Sequence, residues 1–285
     1  MKAAAEAEWR LLTGLIESRF GLCFPGIRRE ILESRLHARL QELHLESYHE
    51  YYRYLRAHPQ REAEFAQLAC RITNNETYFF REAHHFEVLT REIVPPLLPQ
   101  LRSRPLRLLS AGCSSGEEAY SLAITLQNAG FDRAGVTWEI DACDVNAERI
   151  ARARAGVYEE SALRACDAET RARYFTRTGG QYRLNDRHRA GVRFLEVNLA
   201  VPGAPLAAGA YDAILCRNLL IYFSPEAFDG LIRQFAGWLR PGGYLLLGHS
   251  ENLLNLGADF ELVHLRGDLV YRRPELPVLT GGEGR

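Results

Sequence analysis

The chain has 285 residues, 47% of them hydrophobic, and a formal net charge of −1. This length supports one large domain or two smaller ones, and the near-zero charge does not indicate an extensive nucleic-acid-binding surface, although it leaves room for a local basic patch. The six cysteines are scattered without a Cys-x-x-Cys pair, which argues against a zinc site or a disulfide framework. We therefore expect a cytoplasmic protein without a metal, and the lack of a long apolar run or a signal peptide predicts no membrane insertion.

Residues 1–70 predict a small all-α domain, because apolar side chains recur at helical spacing without a convincing strand. Breaks at 21–26 and at His58-Pro59 divide this region into separate helices. Residues 71–100 predict a helical bridge that ends in a proline-rich stretch. The apolar stripes consist of Leu11, Leu12, Leu15 and Ile16; of Ile31, Leu32, Leu36, Leu40 and Leu43; and of Tyr48, Tyr51, Tyr52 and Leu55.

Residues 101–273 predict a mostly parallel α/β sheet, because short apolar runs alternate with helical stretches. Two later runs, 260–265 and 269–272, are separated by a very short link and therefore form an antiparallel hairpin. An open parallel sheet that ends in such a hairpin is typical of class I methyltransferases. A small β insertion is expected at about 176–192 and a disordered tail at 274–285. The other strands are predicted at 106–109, 137–143, 192–197, 212–216 and 243–248.

A glycine-containing turn joins the first predicted strand to its helix in the stretch LRLLSAGCSSGEEAY, residues 106–120. Such a turn lets the backbone approach a ligand and directs free helix N–H groups at it. Glu117 and Glu118 crowd the first helical turn, where they would repel the pyrophosphate of a dinucleotide. Asp144 ends the second predicted strand, where a carboxylate suits ribose hydroxyls. The pattern therefore favours a nucleoside without a phosphate, and S-adenosylmethionine is the candidate cofactor.

Six stretches stand out in order along the chain: ITNNETYFFREAHHF (72–86), SAGCSSGEEAYSLAI (110–124), ACDVNAERIARARAGVY (142–158), VNL (197–199), CRNLLIYF (216–223) and GHSEN (248–252). Together they resemble the chemoreceptor glutamate O-methyltransferases of bacterial chemotaxis, the CheR-type family, over roughly residues 10–273. The resemblance implies methyl transfer from S-adenosylmethionine to glutamates of the cytoplasmic methylation helices of chemoreceptors, with S-adenosylhomocysteine as the product. It also implies a class I methyltransferase sheet with a helical N-terminal domain and a β insertion.

Residue by residue, the resemblance implies a catalytic centre at Arg81 and Tyr222. Arg81 offers a planar donor fork for a carboxylate, either that of the substrate or that of the methionine end of the cofactor. The hydroxyl of Tyr222 could hold one carboxylate oxygen or line the sulfonium. The implied cofactor-binding residues are Asn75, Thr77, Arg81, Gly112, Glu118, Asp144, Asn198, Leu199, Arg217 and Asn218.

Two features depart from the family pattern. Asn146 stands where many relatives carry a second acid, which weakens one hydrogen bond but leaves Asp144 as the ribose partner. The β insertion is shorter than in enteric-type relatives. This argues against docking of a receptor C-terminal pentapeptide, a task that the family assigns to the longer form.

The sequence allows two interpretations, one structural and one functional, for each of two groups of side chains. Thr73 and Glu76 have the spacing of a helix capping box, which would make their stretch structural. Arg28, Arg35 and Arg39 share one helical face, which is either solvated or a basic surface for acidic receptor helices.

Two histidines and one strand end receive no role in the chemistry. His84 and His85 are interpreted as surface or supporting residues, and His249–Glu251 as the end of a strand. Two other functions stay open. A non-catalytic paralogue that senses S-adenosylmethionine or S-adenosylhomocysteine would keep the cofactor site, but the chain retains both implied catalytic residues. A methyltransferase for a small molecule or nucleic acid is disfavoured by the lack of a strongly basic surface and by the stretch at 72–86. We expect a monomer.

Overall fold

Four helices form the N-terminal region, and a seven-stranded α/β sheet follows them along the chain. This computed structural model describes residues 2–253, 259–266 and 268–275. Within these ranges, no helix is both long enough and apolar enough to cross a membrane. The N-terminal helices are α1 (Lys2–Phe20), α2 (Ile27–Glu42), α3 (Tyr48–Ala57) and α4 (Arg61–Ile72).

The N-terminal helices bury one face each in a shared core. In α1, Leu12 and Ile16 lie about one helical turn apart and are fully buried. Leu11 and Ile31, which the sequence pattern also places in the apolar stripes, are 48% and 47% exposed. Each precedes a buried leucine, and a step of one residue turns a side chain by about 100° around the helix axis. The buried face is therefore narrower than the pattern predicts.

The end of α4 uses two side chains whose roles the sequence left open. No helix starts at Thr73, whose Oγ1 donates instead to the carbonyl of Ala69 at 2.8 Å. The capping-box interpretation is therefore wrong. Arg35 donates from Nη1 to the carbonyls of Ile72 and Thr73 at 3.1 and 3.3 Å. These bonds satisfy helix carbonyls that have no partner within the helix.

The arginines on α2 have partners inside the protein. Arg39 donates to both carboxylate oxygens of Glu64, at 2.9 and 2.5 Å, and Glu64 also accepts from the hydroxyl of Tyr51 at 2.6 Å. Glu64 is only 4% exposed, so this network is an internal one. Arg28 donates to the carbonyl of Ile221 at 2.6 Å. Because these guanidinium groups and that of Arg35 are engaged, the structure disfavours a free basic surface for receptor helices.

The sequence predicts a helical bridge over 71–100, but residues 73–83 form no regular helix. Phe80 and Glu82 have φ angles of 57° and 51°, outside the right-handed helical region. The N–H of Phe79 donates to the carbonyl of Ala162 at 2.9 Å, so tertiary hydrogen bonds replace helical ones here. The helical part follows as α5 (His84–Val88), a π-helical turn (Leu89–Ile93), a 3-10 turn (Pro95–Leu97) and α6 (Leu98–Leu101).

Strands and helices alternate through the rest of the chain. The strands are β1 (Leu106–Ala111), β2 (Trp138–Asp144), β3 (Val157–Tyr158), β4 (Phe175–Thr178), β5 (Gln181–Leu184), β6 (Val192–Glu196), β7 (Tyr211–Cys216), β8 (Leu239–Leu247), β9 (Glu261–Leu265) and β10 (Asp268–Arg272). The helices are α7 (Glu117–Asn128), α8 (Ala147–Ala155), α9 (Ala168–Tyr174) and α10 (Pro225–Trp238). The large sheet has the order β6-β2-β1-β7-β8-β10-β9, parallel except for β10, which confirms the predicted fold class.

The small sheet has the order β3-β5-β4 and lies between α8 and β6 along the chain. The sequence places the β insertion at about 176–192, whereas these strands fall within 157–184 and residue 192 already begins β6. The strand β3 has only two residues, too few to produce a recognisable apolar run. Of the tail predicted at 274–285, residues from 276 onward lie outside the described ranges.

The strand order reverses at β1, which lies between β2 and β7. In open parallel sheets, ligands bind beyond the carboxyl ends of the strands at such a reversal. The glycine turn follows β1, Asp144 ends β2, and Arg217 follows β7. The topology therefore brings three predicted site elements to one edge of the sheet.

Candidate active site

A cavity of about 1070 Å³, counted with the solvent at its mouth, opens at this edge of the sheet. It is large enough for a nucleoside cofactor. Every residue that the sequence analysis assigned to the cofactor or to catalysis lines it: Asn75, Thr77, Arg81, Gly112, Glu118, Asp144, Asn198, Leu199, Arg217, Asn218 and Tyr222. The structure thus brings together side chains that lie up to 147 positions apart in the chain, from Asn75 to Tyr222 (222 − 75).

The glycine turn lines the cavity, and a side chain at its first glycine would strain the backbone. Gly112 has φ +79°, and a Cβ atom there would lie 2.9 Å from Cδ2 of Leu219. The N–H groups of Gly112 and Cys113 both donate to the carbonyl of Cys143, at 2.8 and 2.9 Å. These two bonds hold the turn against the end of β2.

Asp144 lies at the junction of β2 with the glycine turn. Its Oδ2 accepts from the N–H of Ser114 and its Oδ1 from the N–H of Asn146, both at 2.9 Å. Burial raises the pKa of Asp144, while these two N–H groups oppose the shift. Each carboxylate oxygen keeps a further lone pair. Asp144 can therefore accept hydrogen bonds from a diol in the cavity without losing its own support.

Asn146, the residue that departs from the family pattern, faces the N-terminal region. It is 1% exposed, and its Nδ2 donates to Oγ1 of Thr73 and Oδ1 of Asn75 at 3.1 and 3.3 Å. Its Oδ1 caps α8 by accepting from the N–H of Arg149 at 3.1 Å. The amide thus links the end of β2 to the segment after α4, because it supplies donors that a carboxylate lacks.

Arg217 is a buried ion-pair centre beside the cavity. Its side chain is 2% exposed, and its guanidinium lies 3.2 Å from both Glu118 Oε2 and Glu82 Oε2. It also donates to the backbone carbonyl of Arg81. Burial raises the pKa of Glu118, and the charge of Arg217 and the hydroxyl of Ser110, which donates at 2.6 Å, oppose the shift. Arg217 therefore holds Glu118 and the Arg81 backbone in place.

The two implied catalytic residues line the same cavity from different segments. Arg81 donates from Nη1 to the carbonyl of Glu76 at 3.0 Å, which leaves other donors of its fork available to a ligand. The hydroxyl of Tyr222 accepts from Nδ2 of Asn74 at 2.5 Å, so its proton can be donated elsewhere. The guanidinium of Arg28 lies 4.8 Å from the centre of the Tyr222 ring.

Asn198 uses its side chain within the protein. Its Nδ2 donates to the carbonyl of Arg19 near the end of α1 at 2.6 Å, and its Oδ1 accepts from the N–H of Ala200 at 3.0 Å. If Asn198 contacts the cofactor as predicted, it must use its second amide N–H, the remaining lone pair of its amide oxygen or its backbone. Phe20, Leu22 and Phe24 also line the cavity, and sequence reasoning missed them because nothing local links the α1–α2 region to a sheet edge.

Glu251 is the most heavily used carboxylate near the cavity, and sequence reasoning missed this role. It is 8% exposed and accepts backbone hydrogen bonds from Gly248, Asn218, Leu219, Leu220 and Ile221 at 2.9, 2.8, 2.8, 2.7 and 3.4 Å. It therefore organises the loop that begins after β7 and carries the cavity residues 217–219 and 222. Its presence in the stretch GHSEN was the only available signal.

Replacing Asp144 with asparagine is expected to weaken S-adenosylmethionine binding by about 10- to 100-fold, the usual value of a hydrogen bond to a charged acceptor. The new amide would also present donors to N–H groups that now bind a carboxylate. Isothermal titration calorimetry with the cofactor measures this change. The exposed neighbour Glu148, replaced with glutamine, is the control that should bind normally. Equal affinities in both variants would remove Asp144 from the site.

Comparisons with known proteins agree with this geometry. Residues 7–73 match the family model "CheR methyltransferase, all-alpha domain", and residues 75–268 match "CheR methyltransferase, SAM binding domain". A chemotaxis protein methyltransferase of Salmonella typhimurium is 36% identical over 273 residues, covering 94% of this chain and 91% of that protein. Chemotaxis protein methyltransferase 1 of Pseudomonas aeruginosa is 34% identical over 277 residues, covering 95% and 99%. The predicted cofactor, S-adenosylmethionine, is thereby confirmed.

Proposed function

Since this chain belongs to the CheR family of S-adenosylmethionine-dependent methyltransferases, we propose that it methylates glutamate side chains in the cytoplasmic helices of chemoreceptors. The observation that carries the proposal is the cavity itself. It combines two acidic residues suited to the cofactor, Glu118 and Asp144, with two residues suited to a carboxylate, Arg81 and Tyr222. The relatives named as chemotaxis methyltransferases support the signalling context.

The charges around the cavity fit a cationic nucleoside better than a phosphate. Glu117, in the first turn of α7, is buried and does not line the cavity, and burial raises its pKa to about 7. Glu118, in the same turn, lines the cavity where a phosphate would otherwise bind the helix N-terminus. Asp144 adds a carboxylate at the neighbouring strand end. These residues would hold the ammonium and ribose of S-adenosylmethionine, which supplies an electrophilic methyl group on sulfur when bound. Gly112 allows the close approach of backbone that such a ligand needs.

The nucleophile of this reaction needs no general base. A glutamate side chain titrates near pH ~4.3, so it is already ionised at neutral pH. A carboxylate and a sulfonium lose their charges as the methyl group moves, and water stabilises the charged reactants more than the transition state. A water-poor pocket that fixes the geometry should therefore contribute most of the acceleration. The residues Phe20, Leu22 and Phe24 from the N-terminal region make one wall of the cavity apolar.

Arg81 best serves the carboxylate of the cofactor while remaining close enough to orient the substrate. A tight ion pair with the substrate glutamate would stabilise the ground state and slow transfer. The bond from Arg81 to the Glu76 carbonyl fixes one arm of the guanidinium and thereby directs the rest of the fork. The hydroxyl of Tyr222, held by Asn74, would donate a hydrogen bond to one oxygen of the substrate carboxylate and leave the other oxygen free to attack.

Alkali-labile methylation of a receptor fragment is the result expected from this proposal. The protein would be mixed with radiolabelled S-adenosylmethionine and a panel of chemoreceptor cytoplasmic fragments, and label would be released as methanol by mild alkali. A fragment whose methylation-helix glutamates are replaced with alanine is the matched control. Alkali-resistant label would indicate another acceptor, and tight cofactor binding without any label would favour the sensor. Either outcome contradicts glutamate methylation.

A further inference from the structure

A cluster of histidine and carboxylate side chains lies where α5 begins and meets β10. Nε2 of His85 is 3.2 Å from Oδ2 of Asp268, and Nε2 of His84 is 3.5 Å from the same oxygen. One donor atom from each of these three residues lies within 4.8 Å of the other two. None of the three lines the cavity of the active site. They therefore form a separate constellation.

The polar atoms of this cluster lack protein partners. His84 Nε2, His85 Nδ1 and Asp268 Oδ2 are buried and accept or donate no hydrogen bond among the described residues. The whole of His85 is 1% exposed. Buried polar groups are nearly always paired, because leaving them unpaired costs free energy of folding. His84 Nε2 and Asp268 Oδ2 lie 3.5 Å apart, beside Nε2 of the buried His85, and two unpaired atoms in this arrangement indicate that a ligand belongs between them.

We propose that His84, His85 and Asp268 bind a divalent transition-metal ion, with Zn²⁺ as the best-fitting ion. Tetrahedral zinc with nitrogen and oxygen ligands places neighbouring donor atoms roughly 3.3 Å apart. The separations of 3.2 and 3.5 Å at Asp268 match this value. The side chain of His84 is 38% exposed and can rotate to complete the third edge, with water as the fourth ligand. The site departs from the metal-free protein expected from the sequence.

The surroundings of His85 are those of a metal-bound imidazole. Its Nδ1 lies 3.5 Å from Oε2 of Glu82 without forming a hydrogen bond, so a carboxylate is near the ring nitrogen through which ligand histidines are commonly oriented. The ring of His249 stacks on that of His84, with the ring centres 4.7 Å apart.

The choice of ion follows from the donors. Two imidazoles and one carboxylate favour zinc and similar transition metals, whereas Mg²⁺ and Ca²⁺ prefer oxygen ligands. The ion would link Asp268 at the start of β10 to His84 and His85 at the start of α5, which follow Arg81 closely in the chain. Glu82 lies between His85 and the buried Arg217 and so connects this cluster to the ion pair beside the active site. None of the three ligands reaches the cavity, so the role of the metal ion is structural. The ion would hold the start of α5 in place behind the active site.

Calorimetric titration of untagged, chelator-treated protein with Zn²⁺ tests the site. We expect one equivalent to bind, Mg²⁺ not to bind, and Co²⁺ to give the visible absorption of a four-coordinate ion. The variants Asp268→Asn and His84→Ala should each weaken zinc binding by at least about 10- to 100-fold, the effect reported for supporting ligands alone. Zinc should also raise the melting temperature of the native protein but not of these variants.

His264→Ala is the matched control. His264 is exposed on β9 and precedes Leu265, the residue that pairs with Asp268, so its side chain points to the opposite face of the sheet. This variant should bind zinc normally. His84 is partly exposed, so its replacement should leave the fold intact. Failure of the folded native protein to bind one zinc, or equal zinc affinity in His84→Ala and His264→Ala, would overturn the proposal. Neither readout depends on methyl transfer.

Discussion

Replacing Arg81 with alanine is expected to lower methyl transfer to a receptor fragment by about 10²- to 10³-fold, the usual cost of removing one preorganised donor from an active site. The guanidinium lines the cavity and is held by the carbonyl of Glu76 at 3.0 Å. Without it, the cavity loses the fork that orients a carboxylate. Release of labelled methanol measures the rate, and calorimetry measures cofactor affinity in the same variant.

The split between these two measurements identifies what Arg81 contacts. A large loss of S-adenosylmethionine affinity would place it on the cofactor, whereas a raised KM for the receptor with normal cofactor affinity would place it on the substrate. Arg164→Ala is the matched control, because Arg164 contacts the same neighbours without lining the cavity. Its guanidinium lies 2.9 Å from Glu76 Oε1 and 3.7 Å from the centre of the Tyr78 ring. Equal activity of the two variants would contradict a catalytic role for Arg81.

Replacing Glu251 with alanine is expected to reduce both the stability of the sheet domain and cofactor binding. Five backbone N–H groups would lose their common acceptor, and four of them belong to the loop after β7. Removing one partner of a buried charged network costs about 3–5 kcal/mol of the free energy of unfolding. Denaturant unfolding followed by near-ultraviolet circular dichroism measures the loss, and calorimetry with S-adenosylmethionine reports on the loop.

Two further variants separate charge from shape at this position. Glu251→Gln keeps one oxygen acceptor but loses the charge, so its stability should fall between those of the native protein and Glu251→Ala. Glu261 is exposed at the start of β9, and its replacement with alanine should change little. Native stability in Glu251→Ala would mean that water replaces the carboxylate, and the loop would then not depend on this residue.

Features set by neighbours in the chain were predictable from the sequence. The strands β1, β2 and β7 are short apolar runs, and the glycine turn follows from a run of small residues between a strand and a helix. The parallel order and the final hairpin follow from the lengths of the connections between strands. Arg81 and Tyr222 were predicted as site residues because each lies within a stretch that resembles a known family, and both line the cavity.

Features set by distant partners were not predictable. The acceptor role of Glu251 depends on N–H groups about 30 positions earlier, and Arg217 meets Glu82 across 135 positions. The sequence predicts a helix in the segment after α4, but the N–H of Phe79 in this segment donates to the carbonyl of Ala162 instead of forming a helical hydrogen bond. A backbone or charged group pairs with whatever the fold brings near it, and sequence spacing carries no record of that distance.

The sequence by itself thus determined the class of the sheet, the edge at which a ligand binds and the residue types available there. Only the tertiary structure decided which of those side chains are engaged, because burial forces each polar group to find a partner wherever one lies. The amide N–H groups of Asn146 and Asn198 donate to the N-terminal region and the segment after it. Arg81 makes one bond to a carbonyl and keeps other donors for the cavity, and each oxygen of Asp144 keeps a lone pair beyond the N–H group that it accepts. Because buried polar groups need partners, the buried atoms of His84, His85 and Asp268, which have none among the described residues, indicate a bound ligand.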